Sequence, residues 1–158
     1  MKKRIFAAIL SCSLLLTMPM QVNAASPETS VLNAKPGTEA EIQATGLISY
    51  YFLTISGDAK KLYISAHTHG TERLAKLGFK DIVVERSSNG VSNWTEEKDL
   101  GNKLKEDAIS YTLSNYEVSV TGGYYYRVKL THYAKEDKLL FPTTQSVQNT
   151  SNAIWISK

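Results

Sequence analysis

Residues 122–133 read Gly-Gly-Tyr-Tyr-Tyr-Arg-Val-Lys-Leu-Thr-His-Tyr, and this stretch constrains the fold more than any other. Two glycines permit a tight corner, and the side chains after them alternate with a period of two. Tyr124, Tyr126, Val128, Leu130 and His132 fall on one face, and Tyr125, Arg127, Lys129, Thr131 and Tyr133 on the other. A helix would scatter both sets around its axis, whereas a strand separates them into a dry face and a wet one. The dry face needs a second layer to cover it. The rest of the chain is rich in short β-forming segments able to supply that layer, so the expectation is an all-β protein.

The first two dozen residues stand apart. Lys2, Lys3 and Arg4 precede an apolar run, 5–20, and Val22-Asn23-Ala24 offers the small-residue pattern that a signal peptidase reads. This predicts a signal peptide over residues 1–24, cleaved after Ala24 or Ala25, and a secreted protein. The run is too short and wrongly flanked to serve as a spanning helix. Lipid modification at Cys12 would leave Leu14, Leu15 and Leu16 on the mature chain, which argues against it.

Cleavage removes three of the 18 Lys and Arg and none of the 15 Asp and Glu, leaving a formally neutral chain. Neutrality without a Lys/Arg run disfavours nucleic acid and anionic membrane surfaces as partners, since both need clustered positive charge. The single cysteine leaves with the leader, so the mature chain has no disulfide, thiolate metal site or cysteine nucleophile. Core burial alone must hold it together, and its length suits one domain.

Residues 25–45, with Pro27, Pro36 and Gly37 as breakers, read as a flexible lead-in, and 46–158 as the folded domain. Residues 47–56 and 62–67 read as an antiparallel pair around Gly57-Asp58. Residues 71–80, with Leu74 and Leu77 at helical spacing and Gly78 as a cap, read as a crossover containing a turn of helix. Residues 81–87 and 91–98 flank Asn89-Gly90, a strong hairpin signal, and Trp94 needs a place at the core edge or against the hairpin partner. Residues 99–107, charged and glycine-marked, read as a loop. Along 109–120 the apolar phase slips from odd to even positions near Ser114-Asn115, which predicts a bulge. A Ser/Thr/Asn/Gln loop and a short strand, 153–156, close the chain. About seven strands with regular turn signals match a two-sheet antiparallel sandwich.

Residues 123–130, Gly-Tyr-Tyr-Tyr-Arg-Val-Lys-Leu, resemble the start of the penultimate strand of immunoglobulin-like and fibronectin type III-like domains. The resemblance implies a β-sandwich in which a tyrosine hydroxyl, that of Tyr126 or of Tyr124, bonds back to the corner backbone. It makes Tyr126, Val128 and Leu130 structural residues. The chain lacks the cysteine pair of antibody domains and the early tryptophan of fibronectin domains. Residues 47–156 also resemble small secreted proteins of Gram-positive bacteria that form families of unknown function. That resemblance implies no activity.

The histidines offer the sharpest chemistry. His67 and His69 form a His-x-His pair, and with His132 they would make a three-histidine zinc site of a metal-dependent hydrolase. The alternation opposes this, because it puts His67 and His69 on a wet face and His132 on a dry one. The carboxylates Glu96, Glu97, Asp99, Glu106 and Asp107 sit beside lysines and read as surface ion pairs. No nucleophile motif, phosphate loop or dinucleotide fingerprint is present. What stands out is an outward strand face carrying Tyr125, Arg127, Lys129 and Tyr133, suited to a protein surface or a sugar ring. The expectation is a non-catalytic, monomeric extracellular binding module without cofactor. A metal-dependent hydrolase using His67 and His69, or a small secreted toxin or bacteriocin, stands as the alternative. No sorting motif or apolar tail follows Trp155-Ile156-Ser157-Lys158, which predicts release rather than anchoring.

Overall fold

Two long strands run through the whole molecule: β4 (Lys61–Ser87) and β5 (Thr95–Ser119), paired antiparallel along their length. The computed structural model describes residues 46–158 and the backbone of two short strands, β1 (Ser30–Asn33) and β2 (Glu41–Ile42). The expected signal peptide lies outside the described residues, as does the rest of the lead-in. The remaining strands are β3 (Ile48–Asp58), β6 (Tyr124–Lys135), β7 (Thr144–Thr150) and β8 (Ile154–Ile156).

The first half of β4 pairs with β3, from Ile48↔Gly70 to Asp58↔Lys61, and its second half pairs with β6, from Lys76↔Lys135 to Ser87↔Tyr125. Between the halves, residues 71–73 are exposed and the register with β5 breaks between His69 and Leu74. The strand bends there, and the sheet curls until one half covers the other. The main core joins Leu62, Ile64 and Leu113 from one side with Phe79, Val84, Tyr126, Val128 and Leu130 from the other. A second cluster, with Leu47, Tyr51, Leu74, Leu77 and Val147, fills the bend.

The all-β, antiparallel expectation holds, but residues 46–158 carry six strands of one curled sheet in place of seven in two sheets. Two stretches account for the difference. Residues 71–80 are not a crossover with a helical turn, because Leu74 faces Ala108, Lys76 faces Glu106 and Phe79 faces Lys103 across the β4–β5 ladder. Leu74 and Leu77 keep their helix-like spacing on a strand whose register with β5 is unbroken from Leu74 to Phe79, and both side chains are buried in the second cluster. Gly78 is no helix cap. Its φ is +149°, and a Cβ there would lie 2.3 Å from the Lys103 carbonyl oxygen, so glycine lets β5 approach.

Residues 99–107 are likewise strand, not loop. β5 hydrogen-bonds to β4 only, and Lys98, Lys105 and Glu106 are the charges expected on an exposed sheet edge. The slip near Ser114-Asn115 appears as a bulge: Ile64 faces Tyr116, Ala66 faces Leu113, and Asn115 has φ +48°. β7 replaces the expected polar loop. Its inward positions are Gln145, Val147 and Asn149, and Gln145 Oε1 accepts the Ile48 N–H at 2.8 Å.

At the corner before β6, the buried Tyr126 donates its hydroxyl to the Thr121 carbonyl. Thr121 in turn donates through its backbone N–H and its hydroxyl to Glu97 Oε1, at 3.3 and 3.1 Å, while Arg86 pairs with Glu97 Oε2 at 2.8 Å. This network ties β4, β5 and β6 together at one end of the molecule.

Two substitutions test the fold. Tyr126→Phe should cost about 1 to 2 kcal/mol by stranding the Thr121 carbonyl, and an unchanged denaturant midpoint would disprove the corner bond's contribution. Gly78→Ala should cost roughly 1 to 3 kcal/mol, more than Gly101→Ala, which at φ +64° carries a left-handed backbone cost of about 1 kcal/mol but whose Cβ would meet nothing within 4 Å. Equal losses in urea unfolding would mean that β5 does not depend on the close approach at Gly78.

Candidate binding surface

Register sets the outer face of β6. Arg127 stands opposite Glu85 of β4, and its Nε donates to Glu85 Oε2 at 2.7 Å. Lys129 Nζ reaches the other oxygen, Oε1, at 3.4 Å. The Arg127 guanidinium also lies 4.2 Å from the centre of the Trp94 ring. A planar cation between a carboxylate and an indole face has little freedom left. The Glu85 side chain is 13% exposed and that of Arg127 26%, so this pair is largely shielded from water, whereas Lys129 is half exposed.

Tyr125 lies opposite Trp155 of β8, and the two rings meet edge to face at 5.0 Å. On the other side the β4–β5 turn presses on Tyr125, since a Cβ on Gly90 would sit 2.8 Å from its ring. The turn spans 88–94, with strand resuming at Thr95 rather than at Val91. Asn89 holds it, its Oδ1 accepting the N–H groups of Val91 and Ser92 at 3.0 and 2.9 Å, and Gly90 takes the positive φ of 72°. Trp94 is half buried between this turn and Arg127.

Three of the four expected contact residues, Tyr125, Arg127 and Lys129, therefore form one group with Trp94, Trp155 and Glu85. Tyr133 stands apart, about 13 Å along the strand from Lys129, with Lys80 Nζ 3.6 Å from the centre of its ring. Beside Lys129 opens a shallow cleft of about 210 Å³, lined by Asp81, Val83, Thr131 and Gln148 among others. The group offers an open aromatic and cationic surface with one half-exposed indole, Trp155, at its rim.

The histidines divide between the two faces of the sheet. His67 and His69 lie on the outer face of β4 with rings stacked at 6.0 Å, flanked by Phe52 and Tyr50 at 5.8 and 5.6 Å from His67. His67 Nδ1 bonds Thr112 Oγ1 at 2.6 Å. Burial, with the nearby His69 adding to it, holds the His67 pKa below the usual imidazole range. His132 points into the core, where its Nδ1 bonds Thr68 Oγ1 at 2.7 Å and its ring lies 4.7 Å from Tyr51 and 5.5 Å from Phe79. Thr68 sits between His67 and His69 in sequence and on the opposite face, so a three-histidine site does not assemble. Among the described residues no three His, Cys, Asp or Glu side chains group to hold a metal ion.

The carboxylates serve the sheet. Glu97 holds the corner with Arg86, Glu106 pairs with Lys76 at 3.2 Å, and Asp107 pairs with Arg73 at 3.5 Å. Sequence reasoning overlooked Glu85, although the alternation of 81–87 puts it on the outer face. It also overlooked Trp155, whose outward position follows from the inward Ile156. No protein-family model, no curated protein and no solved structure matches this chain. The reading of this surface therefore rests on its own geometry.

His132 makes stability depend on pH. Burial pushes its pKa down to about 3, and no partner among the described residues reaches Nε2. The unfolded chain binds a proton at this ring near pH 6.5 and the folded chain does not, so stability is complete above that pH and falls as pH drops toward 3. The loss should reach roughly 2 to 3 kcal/mol at pH 4.5. Urea unfolding of wild type and His132→Gln at pH 7 and 4.5 checks this. The variant should show the smaller change by that amount, and parallel changes would remove His132 as the cause.

Proposed function

We propose that this domain is an exported, non-catalytic binding module whose contact surface is the outer face of β6 around Tyr125, Arg127 and Trp155. One observation carries the reading: Trp155 is 52% exposed yet held edge-on by Tyr125, beside an arginine already fixed by Glu85 and Trp94. Large aromatic rings cost solvation when left in water, and a platform that keeps them rigid loses little entropy when a partner arrives. Open aromatic faces beside fixed hydrogen-bond donors suit a sugar ring first and a flat protein surface second. Export belongs to the proposal and rests on the charged and apolar pattern of residues 2–24.

The hydrolase reading finds little support, since His67 and His69 alone fall short of the three protein ligands usual for a catalytic zinc. The likeness to immunoglobulin-like sandwiches is confined to the corner bond of Tyr126. The passage of β4 and β5 through both layers sets the domain apart from a sandwich of separate sheets.

Trp155→Ala tests the surface without touching the core. Retention on immobilised bacterial cell-wall glycans should fall at least about tenfold while the melting temperature stays within a few degrees of wild type. Wild-type retention that survives Trp155→Ala and Arg127→Ala together would place the contact elsewhere. No retention on any glycan would reject the sugar-ring reading.

A further inference from the structure

The first half of β4 carries a group of side chains that the β6 surface does not use. His67 and His69 lie two apart on a strand, so both imidazoles leave the same side of the sheet, and both are half buried. β4 is paired on both edges here. His67 stands between Phe52 of β3 and Thr112 of β5, and His69 between Tyr50 and Ser110. The backbone under both rings is therefore held by the sheet, and so is the distance between them.

That distance suits a shared metal ion. The ring centres are 6.0 Å apart, with planes inclined by 16°. An imidazole nitrogen binds a late divalent ion at about 2.0–2.1 Å, which puts each ring centre about 3.2 Å from the ion and two such centres roughly 4.5 to 6.4 Å apart as the angle at the metal opens from about 90° to about 180°. The torsion that turns a histidine ring is broad, so both Nε2 atoms can face one point without backbone movement. The second observation concerns how the His67 ring is held. Thr112 Oγ1 bonds its Nδ1 at 2.6 Å, and Phe52 stacks on it at 5.8 Å. A ligating histidine commonly has its other nitrogen on an oxygen in this way, and here the bond leaves Nε2 as the ligating atom.

The number of ligands selects the ion. No third His, Cys, Asp or Glu joins the pair among the described residues. Zinc takes three or four protein ligands, whereas divalent copper heads the affinity order for nitrogen sites and accepts a tetragonal set completed by water. We infer that His67 and His69 form a two-imidazole site for Cu2+, with Thr112 as the positioning residue of the His67 ring. The site shares no side chain with the surface around Tyr125, Arg127 and Trp155, and either can fail without the other.

Electron paramagnetic resonance tests it on the full chain, prepared without an affinity tag and carrying Cys12→Ser so that no thiol competes. Pulsed spectra count the imidazoles bound to copper. The chain has three histidines and the third, His132, is buried, so the count reads this pair. One equivalent of Cu2+ should bind with two imidazoles. His67→Ala and His69→Ala should each leave one imidazole and weaken binding at least about thirtyfold, while Thr112→Val should keep both and weaken binding about tenfold. A wild-type spectrum with one imidazole or none would overturn the proposal, and because this count needs no variant it decides even where an alanine variant unfolds. Equal affinity in the double alanine variant would mean an adventitious ion only and would overturn it as well. Wild-type affinity in Thr112→Val would remove the positioning role.

Discussion

The bend in β4 is the constraint on which the rest depends. A sheet with one dry face cannot stand alone in water, and here the cover comes from the same two strands that make the sheet. Residues 61–70 alternate inward and outward without fault, residues 71–73 break the rhythm, and the inward set resumes at Leu74. With β5 following the whole path, the halves of the hairpin face each other across Ile64, Leu113, Phe79 and Val128. Gly78 helps make this possible at a close approach of the two strands, where a methyl group would meet the Lys103 carbonyl. The layers are then stitched by polar bonds placed where burial makes them count: Thr68 of β4 to His132 of β6, and Gln145 of β7 to the Ile48 backbone.

The His132–Thr68 bond shows why a histidine belongs in this core. A larger aliphatic group would leave the Thr68 hydroxyl unpaired, while the imidazole answers it and packs against Tyr51 and Phe79. The cost is a ring that cannot take a proton while the layers stay closed. A neutral medium holds this arrangement, and acid works against it without any change in apolar contacts.

Legibility in the sequence follows how each segment divides its burial among residue types. β6 could be read residue by residue because its inward positions, His132 excepted, are apolar or aromatic and its outward ones mostly polar or charged. The pair of β3 with the first half of β4 was visible for the same reason, and the phase slip at Ser114-Asn115 revealed a bulge. β5 was hidden between residues 99 and 107 because an edge strand carries the charges that a loop carries. β7 was hidden because its inward residues include Gln145 and Asn149, whose burial depends on partners distant in sequence. The second half of β4 imitated a helix because Leu74 and Leu77, three apart on a continuous stretch of strand, are both buried. Of the surface, Tyr125, Arg127 and Lys129 were legible as outward residues. Their neighbours Glu85, Trp94 and Trp155 come from three other segments and meet only through the register of β4, β6 and β8.

The strand that organises the fold also separates two kinds of surface. At its start, Tyr125 and Arg127 are locked among Trp155, Trp94 and Glu85, giving a rigid, directional face. Beyond its end, Leu139, Leu140 and Phe141 project as exposed apolar side chains. From Tyr125 to Lys135 the strand rises about 33 Å. The strand cannot shorten without losing the core, so the aromatic face and the apolar loop stay a fixed distance apart.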